Sequence, residues 1–116
     1  MGAWGPGIFE DDVAADVQVM WEAAAAAAES AESATAMVLR DLGSDVIDDT
    51  EDGPVLWIAL AALQLGSGAV TSEVKDRALA GIPANVERWR EDASPAVAAE
   101  REELLTALRD RLMQPA

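Results

Sequence analysis

From Pro54 to Leu65 the chain reads Pro-Val-Leu-Trp-Ile-Ala-Leu-Ala-Ala-Leu-Gln-Leu, and Gln64 is its one polar side chain. A surface helix turns a polar face outward on every turn. This segment has none, so the pattern predicts a helix buried nearly all round. A buried strand is the competing reading of a short apolar run. The alanines at 59, 61 and 62 and the length of 12 residues favour the helix. A bilayer span needs about 20 apolar residues, which this run does not reach. Asp52 and Gly53 suit the cap region, and Pro54 suits the first helical position, where a missing N–H costs nothing. Gly66, followed by Ser67-Gly68, suits the end. The other helices are expected to wrap this central one.

The flanking patterns supply those helices. Phe9, Val13, Val17, Met20 or Trp21, and Ala24 fall on one stripe, predicting a helix from about Asp11 to Ala27 with acids at its positive end. A second helix is expected from about Ala31 to Leu42, with Ala31, Ala34, Val38 and Leu42 inward and Gly43 ending it. No Gly or Pro separates the two, so one long helix is an alternative; a break near Glu29 is preferred because Ser30 or Ser33 can cap the second. Residues 44–53 read as an acidic loop. Val70, Val74, Ala78 and Ile82 mark a further helix, capped by Thr71 or Ser72 and stopped at Ile82-Pro83. Residues 84–93 read as a connector in which Trp89 tucks under the last helix while Arg88 and Arg90 pair with acids. The last helix starts at Ser94-Pro95 and runs to about Met113, with Val97, Leu104, Leu105, Leu108 and Leu112 as its apolar stripe. Residues 1–9 hold too many Gly and Pro for a helix, yet Trp4, Ile8 and Phe9 are costly to leave in water. The expectation is an all-α fold of about five helices around a central buried helix. An ordered Gly/Trp-rich N-terminal arm packs on the body, and residues 1–116 form one domain.

Composition narrows the chemistry. With no Cys there is no thiolate metal site, disulfide or cysteine nucleophile, and with no His the commonest general base and zinc ligand are gone. The net charge is −14. It is lopsided: residues 1–53 carry 13 acids against the single base Arg40, whereas residues 54–116 carry 9 acids and 7 bases. Nucleic acid and anionic membranes both ask for a basic face, so neither is an expected partner; a basic protein is. No basic-then-apolar leader opens the chain, and a soluble cytoplasmic protein is expected.

Two blocks carry a resemblance. Met1-Gly2-Ala3-Trp4-Gly5-Pro6-Gly7-Ile8-Phe9, followed by Asp11-Asp12 and Ala14-Ala15-Asp16, resembles the opening of the bacterial family catalogued as domain of unknown function 4259. Gly53-Pro54-Val55-Leu56-Trp57-Ile58-Ala59-Leu60-Ala61 with Gln64 is similar to that family's mid-chain block, and Val74-Lys75, Arg77-Ala78-Leu79 and Glu87-Arg88-Trp89 match it in spacing. The chain departs from the pattern at Ala23–Ala28 and at Leu65. The resemblance covers most of the chain and implies a fold, but no activity.

Several residues remain as candidates. Asp12 and Asp16, one helical turn apart beside the arm, read first as structural anchors accepting backbone N–H groups, and second as a metal or acid–base pair. Gln64 reads as an anchor that satisfies a neighbouring loop, with ligand binding as its alternative. Trp4, Phe9 and Trp57 complete the set of anchors. Asp48-Asp49-Thr50-Glu51-Asp52-Gly53 starts like a calcium loop, but the twelfth position, which must be a bidentate Glu, is Ala59. The surface expected to meet a partner is Asp45, Asp48, Asp49, Glu51 and Asp52. On this reading the protein is a non-enzymatic, immunity- or antitoxin-like acidic module that docks a basic protein, with no cofactor and no metal. The alternative is a small-molecule or metal binder, or an enzyme, built on Asp12, Asp16 and Gln64. An acidic mimic of nucleic acid is a third option. The alanine face of Ala23, Ala24 and Ala27 offers a homodimer contact.

Overall fold

The computed structural model describes residue 3 and residues 5–114. Six helices follow one another: α1 (Asp12–Ala27), α2 (Ala31–Leu42), α3 (Ser44–Ile47), α4 (Asp52–Ser67), α5 (Ser72–Asp92) and α6 (Pro95–Leu112). The described residues hold no strand, only an isolated bridge between Ala3 and Asp11. The fold is all-α, as the pattern of apolar positions predicts. Trp4 lies outside the described residues.

α4 is the central helix. Val55, Leu56, Trp57, Ile58, Ala59, Leu60, Ala61 and Gln64 are all buried, and α1, α3, α5 and α6 pack around it. It begins two residues before the expected proline, and its cap differs too. Glu51 is the N-cap residue, but no side chain of its own closes the helix; Asp49 Oδ1 accepts from Glu51 N and Asp52 N, both at 2.8 Å. Asp52 is thus the first helical residue. The end also lies later than expected, at Gly68, whose φ of 82° places it in the left-handed region that favours glycine. Gly53 is buried because α3 runs close by: a Cβ there would stand 2.8 Å from the Ile47 carbonyl oxygen.

α1 and α2 are separate helices. The Ser30 side chain accepts from Ser33 N and caps the second, and Gly43 closes it. The core face of α1 is Ala14, Val17, Trp21 and Ala24, with Phe9 and Val13 half-buried beside it. Ala24 therefore belongs to the chain's own core and is not available to a homodimer face; Ala23 and Ala27 are exposed, as is Val19 at 69%.

Two sequence expectations fail in the second half. The first is the stop at Pro83. α5 runs through it without a break, so residues 84–92 are helical rather than a connector. Proline removes one backbone donor, but Pro83 sits on the exposed side of α5, where water can serve the carbonyl it leaves unpaired. The opposite face, Val74, Ala78, Ile82, Asn85 and Trp89, is buried without interruption, and that burial holds the helix together. The second is the register of α6. Its buried face is Ala98, Arg101, Leu105, Leu108 and Leu112, while Leu104 is 42% exposed. The spacing is the expected helical one, but one place on the stripe belongs to an arginine.

Candidate functional site

The interior holds four buried polar residues, Thr35, Gln64, Asn85 and Arg101, and they form two clusters. The first joins α2, α4 and the start of α5. Gln64 Nε2 donates to Thr35 Oγ1 at 2.8 Å, and Thr35 Oγ1 donates back to the Ala31 carbonyl at 2.7 Å. Gln64 Oε1 accepts from Thr71 N at 2.8 Å. Thr71 in turn caps α5 by accepting from Val74 N. The one polar side chain of the central helix thus fixes the turn that launches the next helix. Its amide is used up on both sides and has no exposed surface, as an anchor's would be.

The second cluster holds the arm. Arg101 is 2% exposed. Its Nε donates to Asn85 Oδ1 at 3.0 Å, its Nη1 donates to the carbonyls of Pro6 and Gly7, each at 3.3 Å, and its guanidinium lies 5.2 Å from the centre of the Trp89 ring. Burial lowers its pKa to about 10, opposed by the negative charge of Asp11. Glu10 completes the arm: its Oε1 accepts from Gly7 N at 3.1 Å, and the side chain fills the space that a Cβ on Gly7 would need. Sequence reasoning did not single out Arg101. The signal was there, because 98, 101, 105, 108 and 112 step along one helical stripe and the second of them is Arg.

Asp12 and Asp16 do not do what the sequence suggests. Both are exposed, and no hydrogen bond reaches either side chain among the described residues. The cap of α1 is Asp11, whose Oδ1 accepts from Val13 N at 2.8 Å and Ala14 N at 3.2 Å. Only an N-cap residue has the extended backbone that turns its carboxylate onto the first free N–H groups, and Asp12 is already helical. Asp12, Asp16 and Gln64 do not converge either, since Gln64 is enclosed. The described residues hold no group of three or more acidic side chains placed to share a metal ion.

Phe9 is half-buried against the core, and Trp57 is 5% exposed with Arg77 over its ring at 5.1 Å. Trp89 is 5% exposed beside α6. Of the arginines flanking it, Arg88 pairs with Glu51 and Asp92, and Arg90 pairs with Glu87 and Glu102.

The acidic stretch is built on α3 and the turn into α4. Asp45, Asp48, Asp49 and Glu51 are exposed, and Asp52 is half-buried. Their environments differ. The backbone N–H groups of Asp52 and Glu51 hold the Asp49 carboxyl below its usual range. Burial, and then the charges of Asp49, Asp11 and Glu51, push Asp52 up. Glu51 is tied to Arg88 on α5, which raises the arginine's pKa. The stretch therefore contains one capping carboxylate, one paired carboxylate and one strained by its neighbours, with Asp45 and Asp48 facing solvent.

Such a molecule is an acidic all-helical domain whose buried polar groups serve its own framework. Its sequence matches the model of the family described as Domain of unknown function (DUF4259) over residues 2–116, and the chain belongs to that family. No curated protein and no solved structure matches it. No helix of the described residues is long and apolar enough to cross a membrane.

Proposed function

We propose that the protein is a non-enzymatic binding module of the bacterial cytoplasm, immunity- or antitoxin-like, that presents Asp45, Asp48, Asp49, Glu51 and Asp52 to a basic partner protein. The observation behind this reading is the placement of the counter-charges. Every ion pair among the described residues takes its arginine from α5 or α6, and Glu51 is the one acid of the first 53 residues that joins one. The acids of α1, α2 and α3 are left uncompensated within the fold. Charge of one sign over a surface raises the rate of encounter with a partner of the other sign and rejects partners of its own.

The test is capture of partners from the native host by the purified protein, repeated at high salt and with Asp45→Lys/Asp48→Lys. A single stoichiometric basic protein, retained at low salt and lost both at high salt and with the charge-reversed variant, is the expected result. No partner at any salt sinks the proposal. The alternative, a ligand or metal held by Asp12, Asp16 and Gln64, has only the two exposed carboxylates of α1 left to work with. A thermal-shift screen with metals and metabolites addresses it directly.

A further inference from the structure

A surface depression of about 620 Å³ lies where the end of α4, the start of α5 and the end of α6 meet. Leu65, Val70, Leu112 and Met113 form its apolar lining, and Lys75 and Arg111 stand over it. Its size falls in the range of small-molecule sites, about 300–1,000 Å³. Met113 is 64% exposed, a large flexible apolar side chain of the kind that adapts to a bound surface.

The two cations are unusual here. The chain has only 8 basic residues against 22 acidic ones. Arg88, Arg90 and Arg109 are matched to carboxylates and Arg77 and Arg101 lie over tryptophan rings, whereas Lys75 and Arg111 join no ion pair among the described residues and are the two cations that line this groove. Lys75 lies in the first turn of α5, at the positive end of its own helix, where a cation is disfavoured. Nor are both needed to satisfy the helix ends beside them. At α4 the carbonyls of Gln64 and Leu65 accept from Ala69 N and Gly68 N at 3.1 and 3.2 Å; at α6 those of Arg109 and Arg111 accept from Met113 N and Gln114 N at 3.0 and 3.3 Å.

We propose that this groove binds an aliphatic carboxylate, its hydrocarbon chain lying on Leu65, Val70, Leu112 and Met113 and its head group between Lys75 and Arg111. The apolar lining selects the chain, and two cations on an otherwise acidic surface select a small anion. The site is at the far end of α4 from the acidic stretch, about 24 Å along the helix axis, so it stands or falls independently of the partner proposed above.

The probe is decanoate, titrated below its micelle concentration into the full chain and followed by calorimetry and by amide chemical shifts. Expected is saturable binding, with shifts clustered on residues 65–75 and 111–114. Decanol, which keeps the chain but not the charge, binds about tenfold more weakly, and so does decanoate to the double variant Lys75→Gln/Arg111→Gln. Ala69→Trp, at an exposed non-helical position on the rim, fills the groove and abolishes binding with the helical circular dichroism unchanged. Shifts scattered over the surface, equal affinity for decanol and decanoate, or undiminished binding to a folded Ala69→Trp variant would each overturn the assignment.

Discussion

Arg101→Met and Arg101→Ala should behave very differently, and the structure says by how much. Holding a guanidinium at 2% exposure lowers its pKa from its ordinary value to about 10. At 1.36 kcal/mol per unit, that is a charging penalty of about 3 kcal/mol. Against it stand a charged hydrogen bond to Asn85 Oδ1, worth about 1.5–3 kcal/mol, and the contact with Trp89, worth about 0.5–2 kcal/mol. The carbonyls of Pro6 and Gly7 can turn to water once released, so they contribute less. The terms nearly cancel. Met keeps most of the volume and removes the penalty but, like Ala, leaves the Asn85 oxygen without a donor, so it should cost about 1–2 kcal/mol. Ala has the same unpaired oxygen and in addition opens a cavity beside Trp89, for a loss of about 3–5 kcal/mol. Urea denaturation of the three proteins measures both differences. In either variant the amides of Gly7 and Glu10 should exchange faster with solvent, because the tie on the arm is gone. The sign with pH follows as well. The folded pKa lies below the unfolded one, so the penalty is present in full below pH about 10 and is relieved as pH rises above it, where wild type should gain on Arg101→Met. If Met costs as much as Ala, the buried charge itself is holding the fold and the cancellation is wrong.

Three more outcomes are expected. Gln64→Leu fills the same space but strands the Thr71 N–H and removes the donor to Thr35 Oγ1, which keeps its own bond to the Ala31 carbonyl, and chemical denaturation should show a loss of about 1–3 kcal/mol. The acidic turn gives opposite responses to acid. Asp49 has a lowered pKa, so its contribution is present above about pH 3.8 and is lost as pH falls through the lower folded value; Asp52 has a raised one, so its ionisation costs stability from about pH 3.8 upward. Asp52→Asn should therefore raise Tm at pH 7, with the gain disappearing as pH falls below about 4; an unchanged Tm at pH 7 contradicts the assigned strain. Gly53→Ala drives a methyl to 2.8 Å from the Ile47 carbonyl, and with backbone on the other side of the contact it should cost about 1–3 kcal/mol in denaturant, far more than Gly66→Ala, whose added methyl meets open space.

The helical plan was legible because each helix is written with its own stops. Ser30, Thr71 and Ser94 all cap where their position before an apolar stripe suggests, and in the run from Val55 to Ala61 the alanines favour a buried helix over the competing buried strand. What was not legible depended on contacts between distant parts of the chain. Pro83 is a helix breaker by local chemistry, and only the continuous buried face from Val74 to Trp89 overrides it. Asp12 and Asp11 are indistinguishable as letters; the backbone angle of one residue decides which carboxylate reaches the helix end. Arg101 was hidden for a different reason. A charge on an apolar stripe reads as a misplaced surface residue until the arm, 94 residues away, is seen to supply its acceptors. The acidic stretch was visible as charge, but its internal division of labour, with Asp49 capping and Glu51 held by Arg88, needed the neighbouring helix.

The tie between Arg101 and the arm also sets an order of events during synthesis. Residues 6 and 7 are synthesised well before α6, which bears the side chain that receives them. The contacts among α1, α2, α3 and α4 need no part of α6, so they can form before it is made. Within the arm the Gly7 carbonyl accepts from Glu10 N at 3.1 Å, but the tie that fastens the arm to the body waits for α6. The arm is therefore secured only after α6 is made, and a chain stalled before residue 101 carries it unfastened.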